Sequence, residues 1–244
     1  MSAQNVQSDA LRYPVLIGPP QSLHVDAFPC VTVLRSRFDL QACRDEADRW
    51  CAPPLPDHVR HAVPQRKAAY AAGRALAKIL LRRHGALVTD VPVNARHLPV
   101  WPPGWLGSIS HAADMAICAV APWSDGALLG VDIESWMPDD TAYAILSLVM
   151  NEPELLSLHG WGALAKRVTV AFSAKESAFK ALYPQVGRYF DFSAIRIIDC
   201  EQKTGRLCLR VEEPLSPELP KGRQLEAWCQ ADAGHVVTLV AESA

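Results

Sequence analysis

Two helical stripes and one alternating run set the frame of the chain. From Gln65 to His84 apolar residues recur at helical spacing, with Ala69, Ala72, Leu76, Ile79 and Leu80 on the buried side and Gly85 as the stop. A second helix runs through Phe172–Pro184. Val168, Phe172, Phe179 and Leu182 fall on one apolar side of it, while Thr169, Ser173, Glu176 and Lys180 line up on another. Pro184 is expected to end this helix, which puts Glu176 and Lys180 in its last two turns. Between the two helices, Gly130-Val131-Asp132-Ile133-Glu134 alternates as a strand does, so Asp132 and Glu134 share a face.

The remaining pattern is shorter. Residues 1 to about 30 carry Pro14, Pro19, Pro20 and Pro29 without a sustained period and read as an extended arm, packed on the body or partly disordered. Val31–Leu34 reads as a strand, and Asp39–Trp50 as a charged helix stopped by Pro53 and Pro54. Gly107–His111 leads through Ala112-Ala113-Asp114 into Met115–Ala121 as strand, tight turn and strand, with Ser110 and His111 expected at the turn. Further strands are predicted near Ile195–Ile198, Arg206–Val211, Leu225–Gln230 and Val236–Val240, with a hairpin turned at Ala231–Gly234. Pro122–Gly126 punctuates the chain, giving a first lobe over 1–122 and a second over 123–244. Each has strands, a long helix and a closing hairpin, which suggests a pseudo-twofold α/β (α+β) organisation with a site where the lobes meet.

The chemistry concentrates on the second helix and the alternating run. Read alone, Glu176 and Lys180, four residues apart, are an ordinary surface ion pair. Two carboxylates side by side on a strand face are costly unless solvated or holding a cation. With Glu176 added, Asp132 and Glu134 make an all-oxygen set suited to magnesium, and Lys180 becomes a second positive group for a phosphate. On the first helix Arg66, Lys67, Arg74 and Lys78 form a basic side, read either as a solvated face or as a phosphate cradle. Arg66 is the favoured member because it lies in the first turn, where helix N–H groups attract anions.

Composition narrows the classes. Half of the residues are hydrophobic, a fifth are charged and the net charge is −2, so the chain is globular and not a general nucleic-acid binder. The seven cysteines (Cys30, Cys43, Cys51, Cys118, Cys200, Cys208 and Cys229) are odd in number and form no Cys-x-x-Cys pair, which argues against a disulfide framework or structural zinc and fits a reducing cytoplasm. No signal peptide is seen at Met1–Ala10 and no apolar run is long enough to span a bilayer, so a cytoplasmic protein without membrane attachment is expected.

Five motifs in order carry a resemblance: Ala72-Gly73-Arg74, Pro99-Val100-Trp101-Pro102, Gly107-Ser108-Ile109-Ser110-His111, Gly130-Val131-Asp132-Ile133-Glu134, and Phe172–Lys180 with its Lys-Glu-x-x-x-Lys core. From about residue 60 onward the chain resembles the Sfp-type 4'-phosphopantetheinyl transferases, in the branch of the enterobactin synthase component and the pseudomonad broad-range transferase. That resemblance implies two similar lobes with coenzyme A bound between them, in a monomer. It implies transfer of 4'-phosphopantetheine from coenzyme A to a serine of an apo acyl or peptidyl carrier protein of fatty-acid, polyketide or nonribosomal peptide synthesis, siderophores included, releasing 3',5'-ADP.

On matching positions the resemblance makes Asp132, Glu134 and Glu176 magnesium ligands and Glu176 the base for the carrier serine. Lys180 becomes the group that neutralises the leaving phosphate. Asp132, Lys175, Lys180, Ser110, His111, Arg74 and Arg66 become coenzyme A contacts, Arg66 at the 3'-phosphate. Relatives commonly carry an arginine one residue removed from Pro-Val-Trp-Pro. Here His97 holds that place and Arg96 stands one further back, so the nucleotide contact falls to one of the two. Lys166, Arg167 and Arg188 are candidates for a patch that docks an acidic carrier protein, or are ordinary surface charge. Two other readings stand beside transfer: a coenzyme A-binding protein without catalysis, against which the carboxylate trio argues, and a magnesium-dependent phosphodiesterase.

Overall fold

The computed structural model describes residues 13–40 and 55–242. The charged helix expected over Asp39–Trp50 lies outside them, apart from its first two positions. The chain forms two compact units divided between Trp123 and Ser124, built from two antiparallel sheets and the helices laid on them. Among the described residues no helix is long and apolar enough to cross a membrane.

The first unit holds a four-stranded sheet: β1 (Leu16–Leu23), β2 (Thr32–Phe38), β3 (Trp105–Ala112) and β4 (Met115–Pro122), in the order β1-β2-β4-β3. The arm expected over the first residues is therefore partly a strand, in spite of its prolines. β1 is an edge strand, and its register breaks between Ile17 and Gln21, across Gly18, Pro19 and Pro20. A bulge at an edge is where prolines are tolerated, since no ladder hydrogen bond is lost there. The strand read as Val31–Leu34 continues to Phe38 because it pairs with β1 on one side and β4 on the other.

After the short helix α1 (Asp57–Arg60), helix α2 runs over Pro64–Arg83 with proline in its first turn. Its apolar side, Ala69, Ala72, Leu76, Ile79 and Leu80 included, is buried against Leu34 and Phe38 of β2 and Ala116, Cys118 and Val120 of β4. Gly73 lets α2 lie close to β3, since a methyl group there would stand 2.5 Å from Ile109 Cγ2. The turn of the β3–β4 hairpin falls at Ala113 and Asp114, so Ser110 and His111 sit within β3, opposite Ile117 and Ala116. Strand alternation puts them on opposite faces, with Ser110 buried.

The second unit has a five-stranded sheet of β5 (Leu128–Ser135), β6 (Ile195–Glu201), β7 (Arg206–Val211), β8 (Gln224–Ala231) and β9 (His235–Glu242), ordered β5-β9-β8-β7-β6. Helices α3 (Asp139–Val149) and α4 (Glu152–Ser157) precede the long helix α5 (Leu164–Val186), which packs on β5 and β9. Pro184 lies inside α5 instead of ending it. In the last turn a proline forfeits little, Leu182 and Val186 still pack into the core, and Gly187 at φ 68° closes the helix with its N–H on the Tyr183 carbonyl at 2.8 Å. Glu176 therefore stands at mid-helix.

Candidate functional site

The alternation of β5 turns Gly130, Asp132 and Glu134 toward α5. Gly130 is what lets the helix come so close: a Cβ there would run into the Ser177 carbonyl oxygen and stand 2.6 Å from the Ala181 nitrogen. The polar stripe of α5 consequently faces protein, and Thr169 and Ser173 are fully buried. Ser173 Oγ donates to Asp132 Oδ2 at 2.8 Å and lies 2.9 Å from Thr238 Oγ1, whose hydroxyl donates to Ser177 Oγ at 3.2 Å. This hydroxyl chain orients a carboxylate that is only 2% exposed.

Lys180 reaches across from α5 and donates to Asp132 Oδ1 at 2.5 Å. Glu134 feels burial, Asp132 and Glu176 against the pull of Lys180, and its carboxyl is pushed up to about 8. Burial likewise raises Glu176, with Lys180 opposing and Asp132 adding to the rise. Three carboxylates thus interact around one ammonium, and the negative charge is under-compensated. Oxygen-only donors with surplus negative charge suit a hard divalent cation. Among the described residues no three His, Cys, Asp or Glu side chains are already arranged to ligate a metal ion; Asp132 is turned to Lys180 and Ser173.

Lys175, expected at the ligand, points the other way. It is 2% exposed, and its ammonium donates to Glu154 Oε1 at 2.7 Å and to the Phe192 carbonyl at 3.1 Å. Its neighbour on the helix is 100° round the axis, so one of the two had to leave the Glu176 face. Glu154 escaped the sequence reading, although Asn151-Glu152-Pro153-Glu154 carries the signature of a capping box.

In the first unit, Arg66 and His111 meet. The Arg66 guanidinium donates to His111 Nε2 at 2.9 Å, which joins the first turn of α2 to β3. Asn94 Oδ1 accepts from Arg96 N and Leu98 N, a turn that holds His97 at φ 61°, and the Trp101 ring covers Gly107. The His97 ring meets that of His58 of α1 at a tilt of 58°, their centroids 4.0 Å apart; nothing in the sequence singles out His58. Desolvation, His97 and Arg66 together hold the His58 imidazole toward its neutral form. His97 stands with this group through His58. Arg74 lies two turns further along α2 with its guanidinium 4.6 Å over the Tyr70 ring, while Lys78 is paired with Asp90 at 2.7 Å.

The three cations proposed for carrier docking do not share a patch. Arg188 lies 22 residues beyond Lys166, roughly 30 Å along the helix direction. Lys166 sits 5.4 Å over the Trp136 ring, Arg167 donates to the Gly162 carbonyl and Arg188 to the Pro214 carbonyl.

A model of the 4'-phosphopantetheinyl transferase N-terminal domain matches residues 55–121, and one of the 4'-phosphopantetheinyl transferase superfamily matches residues 128–240. The chain is 36% identical to 4'-phosphopantetheinyl transferase Svp of Streptomyces mobaraensis over 203 residues, 79% of this chain and 78% of that protein. It is 34% identical to enterobactin synthase component D of Salmonella typhimurium over 151 residues, 61% of each chain. With 4'-phosphopantetheinyl transferase Npt of Nocardia iowensis it shares 26% identity over 149 residues, 60% of this chain and 65% of that protein. Matched in both units by models of one family, and by a named transferase across most of its length, the chain belongs to the 4'-phosphopantetheinyl transferase superfamily, on the branch that holds enterobactin synthase component D.

Proposed function

We propose that this chain transfers 4'-phosphopantetheine from coenzyme A to a serine hydroxyl of an apo carrier protein. The serine oxygen bonds to the phosphorus that carries pantetheine, the bond to the nucleotide breaks, and 3',5'-ADP leaves. The observation that carries the reading is the meeting of Asp132, Glu134, Glu176 and Lys180 where α5 lies on β5, inside the stretch that the superfamily model matches.

Phosphoryl-type transfer asks a protein mainly for positioning and charge neutralisation, and the serine needs a base within hydrogen-bond reach. Glu176 takes that proton; its raised affinity for protons suits the task. Lys180, held in place by Asp132, faces the charge that develops on the departing phosphate. Asp132, Glu134 and Glu176 are the residues that would hold magnesium, which when bound would neutralise the pyrophosphate. Arg66 and His111, with His97 and, two turns along α2, Arg74, take the nucleotide end, Arg66 at the 3'-phosphate. Lys175 has no part in ligand binding on this reading, because its ammonium is already engaged in the core.

The test is the intact mass of an apo carrier domain after incubation with this protein, coenzyme A and magnesium. A gain of one phosphopantetheine, lost with EDTA and with a carrier lacking its serine, is expected. Coenzyme A breakdown without an acceptor would move the assignment to a phosphodiesterase. Binding of coenzyme A with no gain on several carriers would move it to a non-catalytic binding protein.

A further inference from the structure

Resting on the transfer reading, we propose that Glu154 and Lys175 form a positioning pair that fixes the rotation of α5 and thereby aims Glu176. The two residues are 1% and 2% exposed and meet at 2.7 Å. One carboxylate gathers three elements. Glu154 Oε1 accepts from Lys175 Nζ and from the Ile197 N–H of β6 at 3.0 Å, and Oε2 accepts from the Asn151 N–H at 3.0 Å, at the start of α4. Lys175 also donates to the Phe192 carbonyl at 3.1 Å, just ahead of β6.

A buried ion pair of this kind adds little net stability over an apolar pair of the same volume, because both charges must be desolvated. Hydrogen bonds differ from apolar contacts in having direction, and direction is what this pair contributes to α5. On the β5 side the helix is seated by the absent side chain of Gly130 and by the Ser173 bond to Asp132. On the other side the Lys175 ammonium is its polar anchor to α4 and β6. Lys175 and Glu176 are consecutive, so a turn of the helix by about 20° would carry the Glu176 carboxylate roughly 2 Å sideways. Displacements of that size cost catalysis far more than binding. Glu154 and Lys175 touch neither substrate nor metal on this account; they act through Glu176.

Two variants test the proposal: Lys175→Arg, which keeps the charge in a longer side chain, and E154Q/K175M, which replaces the pair by neutral groups of similar volume. Both are compared with wild type for transfer to a carrier domain, for KM toward coenzyme A, for melting temperature and for hydrogen exchange of the α5 amides. E154Q/K175M is expected to melt near wild type, to exchange faster around Ser173–Lys180, and to turn over at least about tenfold more slowly with KM unchanged. Lys175→Arg is expected to show the same split. Wild-type turnover in a folded variant overturns the proposal and leaves the pair a purely structural one. If the double variant fails to fold, Lys175→Arg decides by itself. A wild-type protein that transfers nothing sinks the transferase reading instead, and the exchange measurement then judges the pair, with unchanged α5 protection counting against it.

Discussion

Gly130 of β5 and Ser177 of α5 stand backbone against backbone, so close that no side chain fits between them. The φ of Gly130 is not in the left-handed region, so it is the space and not the backbone that demands glycine. Gly130→Ala is expected to push α5 off the sheet, at about 1–3 kcal/mol of stability. Because Asp132 and Glu176 lie on the two surfaces being parted, turnover should fall more than affinity for coenzyme A. Thermal melts beside a transfer assay check this, and an unchanged melting temperature would contradict the tight seat.

Lys180→Met takes the ammonium away from a carboxylate that is 2% exposed. Breaking a buried pair costs about 3–5 kcal/mol, and with Lys180 itself 26% exposed a loss of about 2 kcal/mol is expected. Adding Asp132→Asn should recover stability but not activity, since the positive group near the phosphate is still missing. Transfer should be down by about 100-fold or more in both variants. Equal recovery of both quantities would assign Lys180 to stability alone.

Acid should stabilise the protein when divalent cations are withheld. Glu134 binds its proton in the folded state up to about 8, whereas the unfolded chain releases it near the ordinary 4.5 of a glutamate. Between those values the folded state holds more protons than the unfolded one, so stability falls as pH rises through that window. In EDTA the melting temperature is expected to drop from pH 5 to pH 8, and Glu134→Gln should flatten the slope. A rising or level profile in the wild type would exclude the crowding of carboxylates described above.

Arg66→Ala should raise KM for coenzyme A by about 10- to 100-fold, the worth of one or two charge-assisted hydrogen bonds, with kcat little changed. Coenzyme A lacking its 3'-phosphate supplies the control: wild type and Arg66→Ala should then behave alike. A persistent difference would place Arg66 elsewhere on the nucleotide.

The long helices, the alternation of β5 and both hairpins were legible because each is written in local periodicity. The same stripe that named Thr169, Ser173, Glu176 and Lys180 did not say that it faces a sheet; that follows from Gly130, whose meaning appears only when α5 is laid on it. The direction in which Lys175 turns is hidden from the sequence for a related reason. A helix places consecutive residues on different faces, but which face meets the core depends on a partner, Glu154, that lies 21 residues away in the chain. The strand at Leu16–Leu23 defied its prolines because pairing with β2 outweighed local preference. His58 and His97 come together through the left-handed turn at His97, a conformation with little signature in a non-glycine residue.

The irregular edge of the first sheet has one more consequence. An exposed edge strand is a template on which another chain can add a strand, and long regular edges invite association. On β1 two successive positions, Pro19 and Pro20, have no N–H to offer, and the break in register bends the strand at the same place. A would-be partner strand finds neither donors nor a straight ladder there, so the feature that hid β1 from the sequence reading also guards that edge against aggregation.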